Sequence, residues 1–284
     1  MANNLDIAER FKRYELVSEG HLYRRTPIII RLDGNAFHAF TRKIWGRTWS
    51  ADFHQCMANA VMPVMKKISG AKLAYMQSDE VSILLTDYDH LSTEAWFGYD
   101  LSKVISISSG MLSAYFNKEM ATFLGDRASE SVGERKGSYN DTRNPVWFDA
   151  RAFNVPREDV ANYFVWRQMD AIRNSISFFT SQFWSHREMQ GKSCRLMLAM
   201  CESKGHDWNA LPSWRKNGLV IRKGFAIGED RWVLDHDCPT FTQDFNYIDR
   251  YVNCEKDETV ETHIDVPDAG TDIETQYDRE QPCA

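Results

Sequence analysis

Apolar and polar residues follow two different periods along this chain. Over 4–19, NLDIAERFKRYELVSE, the residues Ile7, Ala8, Phe11 and Tyr14 recur at helical spacing, which predicts an amphipathic first helix. Ile28, Ile29 and Ile30 then run together, the pattern of a buried strand over 27–32. SADFHQCMANAVMPVMKKISG returns to the helical period, with Ser50 as N-cap and Gly70 beyond the end; Pro63 predicts a kink or division in it. AKLAYMQSDEVSILLTD predicts a hairpin, with strands at 72–76 and 80–85 around the polar Gln77-Ser78-Asp79.

A further helix fits 93–118. Its small residues Ser106, Ser108, Ser109, Gly110 and Ser113 suit close packing on a sheet, and equally a solvated face. A polar loop follows over 130–145, then a strand in VWFDARAFNVP ending near Pro156, then a long helix from REDVANYF onward. The remainder, to about 250, mixes polar helix with a strand region whose Gly228-Glu229-Asp230 predicts a hairpin turn. Without its first helix, the order is βαββαβ, which predicts an α+β fold of the ferredoxin-like kind with added helices and a C-terminal β-hairpin region.

Composition changes this picture in one place. From Cys254 to Ala284 the chain carries ten of its forty acidic residues but only two of its thirty-four basic ones, a net of −8 against +2 for everything before it. That segment has few large apolar residues and reads as a disordered acidic tail. The near-neutral body neither requires nor excludes nucleic acid. No apolar run approaches the roughly 20 residues of a membrane span, and the charged start lacks the apolar centre of a signal peptide. A soluble, cytoplasmic protein is the expectation, with no membrane partner. Six scattered cysteines without a C-x-x-C pair fit free thiols better than a zinc site or disulfide framework.

Candidate chemistry begins where the isoleucine run ends, at Arg31-Leu32-Asp33-Gly34. Asp-Gly is a common turn pair, and an ordinary turn is one reading. The topology offers another. In a βαββαβ sheet the first strand lies beside the central hairpin, so Asp33 and Asp79-Glu80 meet across an interstrand spacing of about 5 Å. Carboxylates held together raise one another's pKa unless a cation lies between them. Magnesium favours a few carboxylates plus substrate phosphates, and two ions bridge the attacking and leaving oxygens in phosphoryl transfer. Asp33 and Asp79 therefore suit metal ligation if the substrate is a nucleoside triphosphate. Adjacent strand residues face opposite ways, so Glu80 joins them only if the turn bends the backbone. GNAFH offers consecutive backbone amides of the kind that cradle anions, and Lys43, Arg47 and Lys103 are candidates to neutralise phosphate. Solvated surface acids and bases remain the plainer alternative.

The ordered set RFKRYE, TPIIIRLDGNAFHAF, YMQSDEVSILL, WFGYDLSK, FDARAFNVP, WRQMDAIRNSI and LPSWRKNGLVIRKG resembles the tRNA-histidine guanylyltransferases and their wider relatives, over roughly residues 9–225. The resemblance implies a polymerase-palm-like catalytic domain that adds nucleotides to a tRNA 5′ end in the 3′-to-5′ direction. ATP or GTP activates the end, and the 3′-hydroxyl of an incoming NTP attacks it. It implies a catalytic region over 1–253, with a palm at about 27–156 and a helical extension at about 157–253, and leaves 254–284 outside. By motif, Asp33 and Asp79 would hold two Mg2+ ions with the Gly34 carbonyl assisting, and Glu80 would support the metals or the geometry. Backbone groups of Asn35, Ala36, Phe37 and His38 would meet a triphosphate; Ser78 and Lys103 match phosphate-contacting positions. A homo-oligomer, commonly a tetramer, is also implied.

One motif departs from the family. Histidine-specific members carry Trp-Arg-Gln-x-Asp-x-His-Ile-Asn-Asn, where this chain has Ile172 for the His and Ser175 for the second Asn, keeping Asn174. Isoleucine donates neither a hydrogen bond nor a proton. The chain thus looks more like the bacterial and phage branch, which repairs truncated tRNA 5′ ends against a template base. Addition of the extra 5′ guanylate to tRNA-histidine is the alternative within the family. A nucleotidyl cyclase or a non-catalytic tRNA-binding protein is the alternative outside it. For RNA contact the candidates are Arg167, Gln168, Asn174, Arg215, Lys216, Arg222 and Lys223, near Trp166 and Trp214, a cation-and-aromatic mixture suited to a frayed RNA end. A core role for Trp166 and Met169, with an Arg167–Asp170 ion pair, is the structural alternative for that helix.

Overall fold

The computed structural model describes residues 7–45, 50–130, 145–224 and 231–253, with 126–130 described for the backbone only. The 131–144 segment, Arg47, the Gly228-Glu229-Asp230 turn and the acidic tail lie outside the described residues. The first helix, α1 (Ile7–Glu15), buries none of its residues, and its Ile7, Phe11 and Tyr14 stripe faces outward.

Strand β1 (Ile28–Gly34) carries three consecutive isoleucines because both of its faces are covered, and a strand covered twice has no solvent face to mark with polar residues. After it come α2 (Phe37–Trp45), α3 (Ala51–Lys67), β2 (Ala71–Gln77) and β3 (Glu80–Leu85). Ser50 caps α3 by accepting from the Phe53 amide at 3.1 Å. Pro63 sits inside α3, which continues past it, so of the expected kink or division the division does not occur. Helix α4 (Leu101–Glu130) starts later and ends later than the 93–118 pattern. The cause of the late start is local. Phe97, Gly98 and Tyr99 all adopt positive φ, which no α-helix accommodates. Of its small residues, Ser108 is fully buried while Ser106 and Gly110 are exposed, so both uses of them occur on one helix.

Strand β4 (Phe148–Asn154) leads to α5 (Val160–Ser181), the short helices α6 (His186–Met189), α7 (Cys194–Glu202) and α8 (Ser213–Asn217), strands β5 (Leu219–Lys223) and β6 (Trp232–Asp235), and α9 (Asn246–Asn253). The six strands form one antiparallel sheet in the order β4-β1-β3-β2-β5-β6. One face packs Ile28, Ile30, Leu32, Val81 and Ile83 against α2, α3 and α4; the other packs Ile29, Leu73, Tyr75 and Leu84 against α5 and α9. Among the described residues, no helix is long and apolar enough to cross a membrane. β1 and β3 are direct neighbours, with Leu32 opposite Val81, so the end of the first strand lies beside the turn of the β2–β3 hairpin.

Candidate functional site

The β2–β3 hairpin closes through Ser78 and Asp79, with Ser78 at φ 49°. The turn sends the Asp79 carboxylate back over the end of β1. A Cβ built on Gly34 would stand 2.8 Å from Asp79 Oδ2 and 2.3 Å from a Phe37 ring carbon, so only glycine fits there. This is the physical reason for the Asp33-Gly34 pair: the strand ends where another carboxylate and a buried aromatic ring press on its backbone. Burial pushes the Asp79 carboxyl up, and the nearby charges of Asp33 and Glu80 push the same way. Bonds from the Ser78 hydroxyl and from Asp79's own amide oppose them. Among the described residues, no basic side chain stands within ion-pair distance of Asp79.

Glu80, one residue on, has the opposite surroundings. Strand alternation turns it to the α5 face. There the buried Arg167 grips it with two prongs, Nε to Oε1 at 2.7 Å and Nη2 to Oε2 at 3.0 Å. Arg167 also donates to Asp170 at 3.0 Å, and Asp170 pairs with Arg173. Arg31 lies 3.6 Å from both Glu80 and Asp33. Among the described residues, no three His, Cys, Asp or Glu side chains group closely enough to hold a metal ion by themselves. The donor set is two carboxylates, Asp33 and the desolvated Asp79. That fits Mg2+, which takes one or two protein carboxylates and completes its shell with water and phosphate oxygens.

Both aspartates open into a cavity of about 370 Å³. Its lining includes the acids Asp33, Asp79, Glu80 and Asp170 and the rings of Trp45, Phe53, His54, Phe178 and Trp214. His54 stacks on Trp214 with ring centroids 4.1 Å apart and an interplanar angle of 24°. Burial holds the imidazole neutral, with its pKa down at about 4, assisted by His236 and Arg215 nearby.

The other candidates divide by place. Ser78, Arg167, Asn174, Arg215 and Lys216 line the cavity. The Asn35 amide donates to the Trp147 carbonyl at 2.9 Å and is already used, and Ala36 sits at φ 58°. Phe37 and His38 open α2, where the first amides have no intrahelical partner. Phe37 itself is buried, in contact with Phe116 and Phe148. Lys43 is exposed in the last turn of α2. Lys103 is set apart: it precedes Phe116 by thirteen residues on α4, about 20 Å along the axis at 1.5 Å per residue. Gln168 is buried, with its amide nitrogen donating to the Asn217 and Pro239 carbonyls and its oxygen accepting from Phe241 N, which leaves it nothing for RNA. Arg222 pairs with Asp235 at 2.9 Å, and Lys223 lies over the Trp232 ring. Trp166 and Met169 are both more than half exposed rather than core, while the Arg167–Asp170 pair is present. Sequence reasoning missed His54 and Arg31. Arg31 carried a usable signal, two residues before Asp33 on the same strand face; His54 carried none, since its partner Trp214 is 160 residues away.

Residues 8–156 match the family model described as tRNAHis guanylyltransferase. A probable tRNA(His) guanylyltransferase of Dictyostelium discoideum is 30% identical over 240 residues, covering 76% of this chain and 86% of that protein. A solved bacterial tRNA(His) guanylyltransferase-like protein in complex with ATP is 36% identical and superposes with a TM-score of 0.76, covering 87% of this chain and 99% of its own. Its counterpart in complex with GTP is 35% identical, with a TM-score of 0.69 and the same coverage.

Proposed function

This chain belongs to the tRNAHis guanylyltransferase family of nucleotidyltransferases, and from that premise we propose that it adds nucleotides to the 5′ end of tRNA in the 3′-to-5′ direction, repairing truncated ends against a template base. The observation that carries the reading is the meeting of Asp79 with the Asp33-Gly34 strand end at the mouth of a nucleotide-sized cavity. The strand order β4-β1-β3-β2, with helices between β1 and β2 and between β3 and β4, supports a ferredoxin-like palm as its scaffold.

In this reading Asp33 and Asp79, with the Gly34 carbonyl, hold two Mg2+ ions, which when bound neutralise triphosphate charge and lower the pKa of an attacking hydroxyl. The protein's own residues do the positioning. Amides of Phe37 and His38 at the start of α2 present N–H groups to phosphate oxygens. Ser78 orients the Asp79 carboxylate through its hydroxyl. Glu80 acts through Arg167 as a brace between β3 and α5, keeping the Ser78-Asp79 turn at a fixed height over Gly34. The aromatic rings that line the cavity take the base of ATP or GTP. Asn174 and Lys216, which also line it, face an arriving RNA end.

Template-directed repair is favoured by the α5 motif. Ile172 has no polar group to offer tRNA, and Ser175 is buried and accepts from Trp208 Nε1 at 2.9 Å. Base pairing needs less protein readout than recognition of one tRNA. Addition of the extra 5′ guanylate to tRNA-histidine is the second reading, supported by the family model itself. Incorporation of labelled NTPs into a panel of tRNAs with and without their first nucleotide decides. Filling of several truncated tRNAs according to the opposing base is the expected result. Activity on tRNA-histidine alone would favour the second reading, cyclisation without RNA would replace both, and no incorporation with Mg2+ present would sink the enzymatic reading.

A further inference from the structure

Where β4 meets β1, the α5 side of the sheet carries two pairs of like charge. Asp149 stands directly opposite Asp33, and Arg151 directly opposite Arg31. Like charges placed opposite each other weaken a strand pair, so a fold that keeps them calls for something to neutralise them. The acid pair includes Asp33, at the proposed metal site. The arginine pair is offset on one side only. Arg31 lies 3.6 Å from Asp33 and from Glu80, whereas among the described residues no carboxylate stands within ion-pair distance of the exposed Arg151.

Helix α5 sets an aromatic ring at the same corner. Trp166 is 53% exposed, although the Arg167 guanidinium lies over its ring at 4.3 Å and is itself locked onto Glu80. The ring of Tyr163 meets both Trp166 and Phe153, and Phe153 is two residues along β4 from Arg151 on the same face. One turn further along α5 from Trp166, Asp170 lines the cavity. We propose that Trp166 and Arg151 seat the 5′-terminal nucleotide of the RNA beside the cavity, Trp166 stacking on its base and Arg151 holding a backbone phosphate. The inference rests on reading the protein as one that extends an RNA 5′ end.

The chemistry of the corner favours that occupant. An indole with a guanidinium over one face has the other to offer to a π system, and stacking accepts any base because each has a π face. That tolerance suits ends that differ in sequence. Met169, 59% exposed three residues on, widens the platform. A guanidinium without a carboxylate suits a phosphate oxygen. A protein surface laid over Trp166 and Met169 would bury Arg151 against Arg31 unless it brought a carboxylate of its own. Arg167 and Tyr163 hold the indole before a ligand arrives, so seating costs little ordering.

A tRNA lacking its first nucleotide and carrying 2-aminopurine as its 5′-terminal base tests this without NTP. Wild-type protein at saturation is expected to quench the 2-aminopurine emission by stacking. Trp166→Ala should restore the emission and weaken binding about tenfold, while Trp166→Phe keeps most of both. Arg151→Ala should weaken binding roughly fivefold and make the log–log dependence of affinity on salt shallower by about 0.7–0.9. The same substitution should raise the urea midpoint, because Arg31 loses its like-charged neighbour; a purely structural Arg151 predicts a fall. ATP binding without RNA should hold in all three variants, since neither residue lines the cavity. Full quenching in Trp166→Ala, or an unaltered salt slope in Arg151→Ala, would overturn the proposal. So would a smaller sedimenting species in Trp166→Ala, which would make this face a contact between copies of the chain. Quenching and both losses in a protein that incorporates no NTP would sink the proposed function and leave the seat standing; normal incorporation without quenching would do the reverse.

Discussion

Asp79 and Glu80 are chemical near-twins and sequence neighbours, yet the fold gives them opposite electrostatic lives. Glu80 meets two arginines, one of them buried and two-pronged. Asp79 is desolvated beside Asp33 and Glu80, with an upward-shifted pKa and no described cation within reach. A carboxylate whose counter-charge is built into the protein is a structural brace. One left beside another acid without a counter-charge is paired only when a cation arrives from outside. The comparison separates two jobs that the tripeptide Ser78-Asp79-Glu80 conceals.

The largest expected effect falls on Asp79 and on Asp33, the carboxylate it meets at the strand end. Asp33→Asn and Asp79→Asn should each lower NTP incorporation by roughly 10³-fold, as loss of a preorganised charge-stabilising group does, with RNA binding largely intact. A companion measurement sharpens the division. Mg2+ should raise the unfolding temperature of wild type and of Glu80→Gln, but not of either aspartate variant. Loss of the Mg2+ effect in Glu80→Gln would place Glu80 among the metal ligands and break the distinction.

On the paired side the effect is one of stability. Arg167→Met leaves Glu80 with the more distant Arg31 and a long bond from the Gln77 amide, and should cost near the lower end of the ~3–5 kcal/mol typical of a broken buried pair, read by urea unfolding. Adding Glu80→Gln to that variant should return much of the loss, because the uncompensated charge disappears. No recovery would mean that Arg167 acts through packing alone.

His54 yields a smaller, pH-dependent effect. Its pKa is held at about 4 in the folded protein against an ordinary 6.5, so the folded state resists a proton that the unfolded state accepts. Its contribution is therefore intact above pH 6.5 and is lost as the pH falls through that window towards 4. At 1.36 kcal/mol per pKa unit the loss is about 2–3 kcal/mol. Urea-unfolding free energies measured from pH 7 to 4 should decline more steeply for wild type than for His54→Phe. Parallel curves would place the imidazole in solvent.

Much of this was legible beforehand, and the reasons are local. The isoleucine run, the Ser50 cap and the polar centre of the hairpin all act over a few residues, and together they fix β1 beside β3 and hence Asp33 near Asp79. The partner of Glu80 was not legible, because Arg167 lies 87 residues away on another element. The start of α4 was obscured by consecutive positive φ angles that Phe97 and Tyr99 do not advertise. Gln168 resembled an RNA contact in sequence because a glutamine amide bonded to backbone looks the same, residue by residue, as one bonded to a base.

The smallest effect concerns the basic residues of LPSWRKNGLVIRKG, which one reading of the sequence groups as a single RNA-binding cluster. The fold splits them. Lys216 lines the cavity, while Arg222 stands opposite Leu73, three residues along β5 from Leu219 and so about 10 Å further from the site, with its guanidinium bonded to Asp235. An arginine already paired gains little from a phosphate, since it must give up one anion to meet another. Lys216→Ala should therefore weaken tRNA binding by about tenfold in a fluorescence anisotropy titration, whereas Arg222→Ala should leave it nearly unchanged. Equal losses would show that the RNA runs along β5 towards its far end rather than stopping at the cavity rim, and would extend the nucleic-acid surface across the β5–β6 edge of the sheet.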